Sequence, residues 1–274
     1  MILEDEKNNM IAVIGIPFDE FSSFLRGTAL APTKIREAYH SDSSNYFTES
    51  GVDLKNHPGW KDEGDLKLSS GVDAIEAIHS SVGKILQAHQ RLFSLGGDHS
   101  TTYPVVKAMA KKHGQLNILH LDAHPDLYDN FEGNKFSHAC PFARIMEEGL
   151  AKRLVQVGIR AMNKHQREQA SRFGVEVTEM KDWNSSIRFQ FDGPVYVSLD
   201  MDVLDPAFAP GVSHHEPGGL TSRETISILQ NLNANVVGAD LVEFNPTRDP
   251  SGITAMLAAK LFKEMLDLLL RSGK

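Results

Sequence analysis

The chain has 274 residues, of which 41% are hydrophobic and 23% charged, with a formal net charge of −8. This length and composition are typical of a globular protein with a sizeable core, and the negative charge argues against nucleic acid or an anionic membrane as a partner. The single cysteine, Cys140, excludes an internal disulfide. No segment approaches the roughly 20 apolar residues of a membrane span, and the polar start lacks a secretory signal, so the sequence predicts a cytoplasmic protein.

Short apolar runs alternate with amphipathic stretches along the chain. In chain order, the sequence predicts a strand at 10–17, helices at 31–39 and 72–90, a strand at 91–95, a helix at 103–113, a strand at 116–121, a helix at 142–149, a strand at 154–159, a helix at 164–173, a strand at 195–199, a helix at 222–231, a strand at 236–241 and a helix at 254–270. The strands are apolar throughout, as expected when both faces of a sheet are covered. The pattern predicts one α/β domain over residues 1–274, with a mostly parallel sheet between helix layers.

Polar side chains follow four of the predicted strands. In open α/β sheets, ligands bind at the carboxyl ends of the strands, so we expect these side chains to meet at one site. Alternate residues of an extended chain point the same way, which predicts that the side chains of each group converge. The four groups are Asp98 with His99, then Asp122 with His124 and Asp126, then Asp200 with Asp202, and finally Glu243.

The composition of these groups predicts a metal centre. Carboxylates crowded at the end of a buried sheet raise one another's pKa values unless cations balance their charge. Two histidines and four aspartates are too many ligands for one Zn²⁺ and suit two divalent ions. Oxygen-rich ligation favours Mn²⁺, with Co²⁺ or Ni²⁺ as alternatives. The predicted ligands are His99, Asp122, His124, Asp126, Asp200 and Asp202. Two such ions can generate a hydroxide nucleophile from water.

These motifs resemble the ureohydrolase superfamily, which contains arginases, agmatinases and formimidoylglutamases. They are GGDHS (96–100), DAHPD (122–126), SLDMDVLDPAFAPG (198–211), EPGGL (216–220) and DLVEFNP (240–246). Residues 122–149 look most like the plant-type arginases. The resemblance implies a three-layer α/β/α fold around an eight-stranded parallel sheet. It also implies two Mn²⁺ ions per subunit and assembly as a trimer or hexamer.

The same resemblance implies a role for each site residue. Asp122 and Asp200 would bridge the two ions. Glu243 would bind the guanidinium of a small cationic substrate, Asp126 would pass a proton to the leaving amine, and His138 would relay protons or contact the substrate. The implied reaction cleaves a guanidinium group to urea and a primary amine.

The far end of the substrate distinguishes arginine from agmatine, since only arginine carries an α-carboxylate. The loop after DAHPD offers Asn130, Asn134, Lys135 and Ser137 as hydrogen-bond donors. In the segment after the APG turn, one of the adjacent His214 and His215, or Glu216, is a candidate contact, and His215 is the one selected. The likeness to plant-type arginases favours arginase, and agmatinase is the alternative. Hydrolysis of another guanidino acid or a formimino compound, and a metal-binding pseudoenzyme, are further alternatives. We interpret His120, on the strand before DAHPD, as structural.

Overall fold

A computed structural model describes residues 10–272 of the chain. Eight strands form one sheet in the order β2-β1-β3-β8-β7-β4-β5-β6, and every neighbouring pair is parallel. The strands are β1 Ile11–Gly15, β2 Trp60–Asp65, β3 Arg91–Leu95, β4 Leu116–Leu121, β5 Ala151–Ile159, β6 Glu176–Glu179, β7 Pro194–Asp200 and β8 Asn235–Val242. The predicted parallel sheet is confirmed.

Within residues 10–272, seven α-helices cover the sheet on both faces. They are α1 Ala31–Tyr39, α2 Asp73–Ala88, α3 Thr102–His113, α4 Pro141–Glu147, α5 Lys164–Phe173, α6 Ser222–Asn231 and α7 Ile253–Arg271. Successive strand residues point to opposite faces, so Ile11 and Val13 join one buried cluster with α1, α6 and α7. Ala12 and Ile14 join a second cluster with helices α2 to α5. The three-layer α/β/α architecture is therefore confirmed.

The two edge strands, β2 and β6, were not predicted from the sequence. Each has only one neighbouring strand, and their sequences, WKDEGD and EVTE, are polar. Arg36 of α1 holds β2 through Asp62, at 2.7 Å, and Asp65, at 2.5 Å. Charges on an edge strand also discourage pairing with another chain. The apolar signal that identifies a central strand is therefore missing at the edges.

The prediction that the chain lacks a secretory signal concerns residues 1–9, which lie outside the described residues. Between residues 10 and 272, no helix combines the length and the hydropathy that crossing a bilayer requires. The domain limits 1–274 stay a prediction, supported by the arrangement of all eight strands in one sheet.

The four strands that precede the polar motifs are neighbours in the centre of the sheet, in the order β3-β8-β7-β4. Their carboxyl ends therefore lie side by side. The turn after β3 joins the adjacent segments closely: Asp98 N donates to Phe18 O at 2.9 Å, and Glu243 N donates to Gly97 O at 2.9 Å. A Cβ atom on Gly97 would lie 1.8 Å from Phe18 O. Only glycine allows this approach.

We expect Gly97→Ala to destabilise the protein, because the added methyl group must displace the backbone at Phe18. Forced overpacking of this kind costs about 1–3 kcal/mol. The measurement is urea unfolding followed by circular dichroism. The matched control is Gly83→Ala on α2, where a Cβ atom meets nothing within 4 Å and helix propensity predicts a gain of about 0.5–1 kcal/mol. Equal stability of the two variants would contradict the close approach.

Candidate metal centre and substrate pocket

The first group of predicted ligands surrounds the imidazole of His99, which lies in the turn after β3. Its Nδ1 is 3.2 Å from Asp122 Oδ2, 3.1 Å from Asp126 Oδ2 and 3.1 Å from Asp200 Oδ2. All four residues are buried. Donor atoms about 3 Å apart are spaced like neighbouring ligands of one ion with bonds of about 2.2 Å. The four side chains can therefore share one cation.

The second group surrounds His124, whose Nδ1 lies 3.0 Å from Asp202 Oδ2 and 3.4 Å from Asp122 Oδ1. Asp122 thus presents one carboxylate oxygen to each histidine, an arrangement that suits a bridging ligand. Asp200 presents Oδ2 to His99, and its Oδ1 accepts a hydrogen bond from Asp202 N at 2.7 Å, as Asp122 Oδ1 does from His124 N at 2.6 Å. The structure brings all six predicted ligands together, and bridging by Asp200 stays a prediction.

The local backbone differs from the extended conformation that we expected. The chain bends at Ala123 and His124, and Asp126 has a positive φ of 51°. Asp202 lies in a 3₁₀ turn, Met201–Val203, rather than on a strand. Glu243 also has a positive φ, of 62°. The predicted side chains meet because of tight turns, and strand alternation was the wrong reason.

Electrostatics show why this cluster needs positive charge. Burial raises the pKa of Asp200 well above its usual value, and the charges of Asp202 and Asp122 raise it further. Burial by itself would lower the pKa of His99, but the carboxylates of Asp122, Asp126 and Asp200 raise it well above its usual value. The crowded carboxylates contribute to both shifts, because the cluster holds more negative than positive charge. Divalent cations supply that charge.

A buried chain of hydrogen bonds sets the protonation of His99. Ser198 Oγ donates to Asp240 Oδ1 at 2.7 Å, so it must accept from His99 Nε2, at 3.0 Å. Thr102 and Tyr196 donate their hydroxyl protons to Asp240 Oδ2. With a proton held on Nε2, the neutral form of His99 presents a lone pair at Nδ1, a buried atom with no hydrogen-bond partner. A lone pair facing three carboxylate oxygens fits a metal ion.

The sequence analysis missed Ser198 and Asp240. Each is a polar residue inside an apolar run, VYVSL for Ser198 and VVGADLV for Asp240. A buried polar residue in a central strand needs a partner. That requirement is the signal that could have identified them.

His138 and Glu243 form an ion pair beside the metal ligands. His138 Nδ1 lies 3.0 Å from Glu243 Oε1, and His138 Nε2 lies 2.8 Å from Ser23 Oγ. Burial by itself would lower the pKa of His138, but the hydrogen bond and charge of Glu243 raise it to about 9. Glu243 Oε1 also accepts from His99 N at 2.9 Å, while Glu243 Oε2 is buried with no hydrogen-bond partner. An acceptor therefore remains available for a ligand.

A cavity of about 180 Å³ opens above these groups. Its inner wall contains Asp126, Asp200, Asp202 and Glu243. The other lining residues are Ser23, His124, Tyr128, Phe131, His138, Ala139, Ala161, Gln166 and His214. No lysine or arginine of residues 10–272 lines it. The pocket therefore favours a small cation.

Three predicted contacts to the substrate's far end do not line the pocket. Asn134 Oδ1 accepts a hydrogen bond from Phe136 N at 2.9 Å, so this oxygen is bonded within its own loop. Lys135 is exposed, and its Nζ lies 5.1 Å above the ring of Phe136. Ser137 is buried, and its Oγ accepts from Ala139 N at 3.4 Å. The loop turns these three side chains away from the cavity and brings His138 to it.

The structure also corrects the choice between the two adjacent histidines. His215 is exposed and donates from Nε2 to Pro210 O at 2.7 Å. His214 lines the pocket instead, with its ring stacked on that of His138 at 5.3 Å and edge-on to that of His124 at 5.8 Å. The two side chains point apart, and the sequence pattern did not say which one faces inward.

Comparisons with known proteins agree with this fold. The Arginase family model matches residues 9–267. "Arginase 1, mitochondrial" of Arabidopsis thaliana is 51% identical, over 93% of this chain and 79% of that protein. The solved structure of an arginase from Medicago truncatula superposes with a TM-score of 0.89 at 45% identity, covering 94% of this chain and 86% of that one. An agmatinase of Bacillus cereus is 35% identical, over 95% of this chain and 92% of that protein.

The chain belongs to the Arginase family. The resemblance identified from the motifs is confirmed.

We expect Asp200→Asn to abolish metal binding without unfolding the protein. The substitution keeps the shape of the side chain and removes a charge whose burial is unfavourable in the absence of a cation. The measurement is the increase in melting temperature on adding Mn²⁺ to protein treated with EDTA, which should disappear. The control is Asp192→Asn, an exposed carboxylate that should leave the increase unchanged. A full Mn²⁺ response in the Asp200 variant would contradict its assignment as a ligand.

Proposed function

We propose that this protein is a binuclear manganese hydrolase that converts L-arginine to L-ornithine and urea. The observation that supports this most strongly is the unpartnered Oε2 of Glu243, buried in an anionic pocket beside the ligand cluster. A guanidinium group is planar, cationic and rich in N–H donors, so it matches a carboxylate acceptor in such a pocket. Arginase is the activity named for the relatives of highest identity quoted above.

The ligand cluster would hold the two ions, with His99, Asp126 and Asp200 around the first and His124 and Asp202 around the second. Asp122 contributes an oxygen to each group. Water activation is the chemistry that two bound Mn²⁺ ions supply, since divalent ions lower the pKa of bound water toward neutrality.

The remaining residues bind the substrate and move protons. Glu243 accepts from the guanidinium and holds its carbon over the ligand cluster. Asp126 lines the pocket and faces the first group, so it can take a proton and return it to the leaving amine. His138, cationic at neutral pH, keeps Glu243 ionised. Its Nε2 meets the exposed Ser23, which gives protons a route to solvent.

Recognition of the substrate's α-carboxylate is assigned to neutral donors, because no lysine or arginine of residues 10–272 lines the pocket and the charge of His138 is paired with Glu243. Tyr128 is the strongest candidate. Its hydroxyl oxygen accepts from Asn163 Nδ2 at 2.5 Å, which leaves the hydroxyl proton free to donate. Asn134, Lys135, Ser137 and His215 are not proposed again for this role.

Agmatinase is the second candidate, and the absence of a lysine or arginine from the described pocket wall favours it. Agmatine needs no partner for a carboxylate. The higher identity to plant arginases, 51% against 35% for the Bacillus cereus agmatinase, places arginine first.

The function is tested by measuring urea release from arginine, agmatine and 4-guanidinobutyrate with Mn²⁺-loaded protein. We expect turnover of arginine, with kcat/KM at least about a hundredfold above that for agmatine, since unpaired polar groups strongly disfavour the wrong substrate. Turnover of agmatine alone would support the second candidate. Metal-loaded protein that releases urea from none of the three would refute both.

We expect Tyr128→Phe to raise KM for arginine about tenfold with little change in kcat, because a hydrogen bond to a charged group is worth about 1.5–3 kcal/mol. The steady-state constants for arginine give the result. Agmatine, measured as a substrate or as a competitive inhibitor, is the internal control and should be unaffected. An equal loss of affinity for both ligands would contradict a contact between Tyr128 and the carboxylate.

Two further properties stay proposals. Assembly as a homotrimer or homohexamer is implied by the family resemblance. Cytoplasmic location is proposed from the single cysteine, which suits a reducing compartment, whereas the Arabidopsis thaliana relative is named mitochondrial.

A further inference from the structure

The inference concerns two buried residues, His120 on β4 and Gln156 on β5, which lie beneath the ligand cluster. Both have no exposed surface. His120 Nε2 lies 2.7 Å from Asp122 Oδ2, and His120 Nδ1 lies 3.0 Å from Gln156 Nε2. Gln156 Nε2 also donates to Pro125 O at 2.6 Å. The four residues form one hydrogen-bonded chain that ends on a predicted metal ligand.

The direction of each hydrogen bond follows from this chain. Pro125 O can only accept, so the nitrogen of the Gln156 amide must face it. The second proton of that amide then goes to His120 Nδ1, which acts as an acceptor. His120 therefore carries its own proton on Nε2 and donates it to Asp122.

This assignment decides between two roles for His120. The nitrogen atoms of His99 and His120 lie close enough to an Asp122 oxygen for the three residues to form a possible metal site. A protonated Nε2 has no lone pair to offer, so His120 is excluded as a ligand. Phe142 stacks on the His120 ring at 3.8 Å between centroids and fixes its plane.

We infer that His120 and Gln156 are positioning residues that hold the Asp122–Asp126 segment for metal binding. His120 fixes the Asp122 carboxylate, whose two oxygens serve the two ligand groups. Gln156 fixes the carbonyl of Pro125, which stands between two ligands in the sequence. The inference rests on the metal centre of the proposed function. It is independent of which substrate is hydrolysed.

Sheet register gives this pair its rigidity. His120 of β4 is directly opposite Gln156 of β5 and Ser198 of β7. Ser198 is in turn opposite Asp240 of β8. The His120–Gln156 pair and the Ser198–Asp240 pair are therefore parts of one polar row across the centre of the sheet. Partners of metal ligands built on strands hold their positions better than partners built on loops.

The test compares two substitutions of His120 that differ in one hydrogen-bond donor. Gln can place an N–H where His120 has Nε2, whereas Met has similar length and no donor. Loss of a partner of a metal ligand weakens metal binding about 10- to 100-fold. We expect His120→Met to lose affinity for Mn²⁺ by that factor and His120→Gln to stay within about threefold of the original protein. Isothermal titration of EDTA-treated protein with Mn²⁺ gives the affinities and the stoichiometry.

Three outcomes would overturn the inference. Wild-type affinity in His120→Met would show that the donor is irrelevant. Equal weakening in the Met and Gln variants would indicate a packing role. Loss of one whole equivalent of Mn²⁺ in both variants would make His120 a ligand. Two supporting measurements are melting temperatures of the metal-free proteins, which should agree within a few degrees, and Gln156→Met, which should weaken Mn²⁺ binding as His120→Met does.

The control is Asn117→Ala, a buried polar residue at the opposite end of β4 that bonds Asp192 O and Pro194 O. It should leave Mn²⁺ affinity unchanged. Because every readout is metal binding, these results stand whether or not arginine is hydrolysed. Failure of the urea assay with the expected Mn²⁺ affinities would refute the proposed substrate and leave this inference intact.

Discussion

The central constraint on this molecule is the burial of carboxylates at the end of its sheet. Asp122, Asp126, Asp200 and Asp202 are all buried, and burial raises the pKa values of the last two. Such a cluster is stable in its ionised form only with positive charge close by. His99 and His124 point their Nδ1 atoms into it, but two imidazoles cannot balance four carboxylates. The site is therefore organised for cations, and a cationic substrate suits the pocket above it.

Backbone strain marks the same place. Four residues other than glycine among residues 10–272 have positive φ, and two of them are Asp126 and Glu243. This conformation costs of order 1–3 kcal/mol at each residue and persists only where surrounding contacts enforce it. Here Asp126 O accepts from Phe142 N at 3.2 Å, and Glu243 N donates to Gly97 O at 2.9 Å. The strained backbone turns both carboxylates toward the cavity. A regular extended strand would direct these side chains away from it.

The sequence predicted the centre of the fold and of the site better than their edges, for a physical reason. Central strands are covered on both faces, so their sequences are apolar runs. The predicted first and last residues of β3 and β4 are those of the structure. The edge strands β2 and β6 carry no such signal. The outer pocket wall is set by contacts between distant segments, such as Tyr128 with Asn163. Local spacing therefore could not choose His214 over His215.

The positioning residues are harder to predict than the central strands and easier than the outer pocket wall. The sequence contains their signal, but the signal can be recognised only when the order of the strands in the sheet is known. Each central strand that leads to the site has one polar residue shortly before its end: Ser94, His120, Ser198 and Asp240. Register places Ser94 opposite Asp240, and Asp240 opposite Ser198. Four isolated exceptions to an apolar pattern thus become one continuous row beneath the ligands. A buried polar row needs hydrogen-bond partners, and this row finds two of them, His99 and Asp122, among the predicted ligands above it.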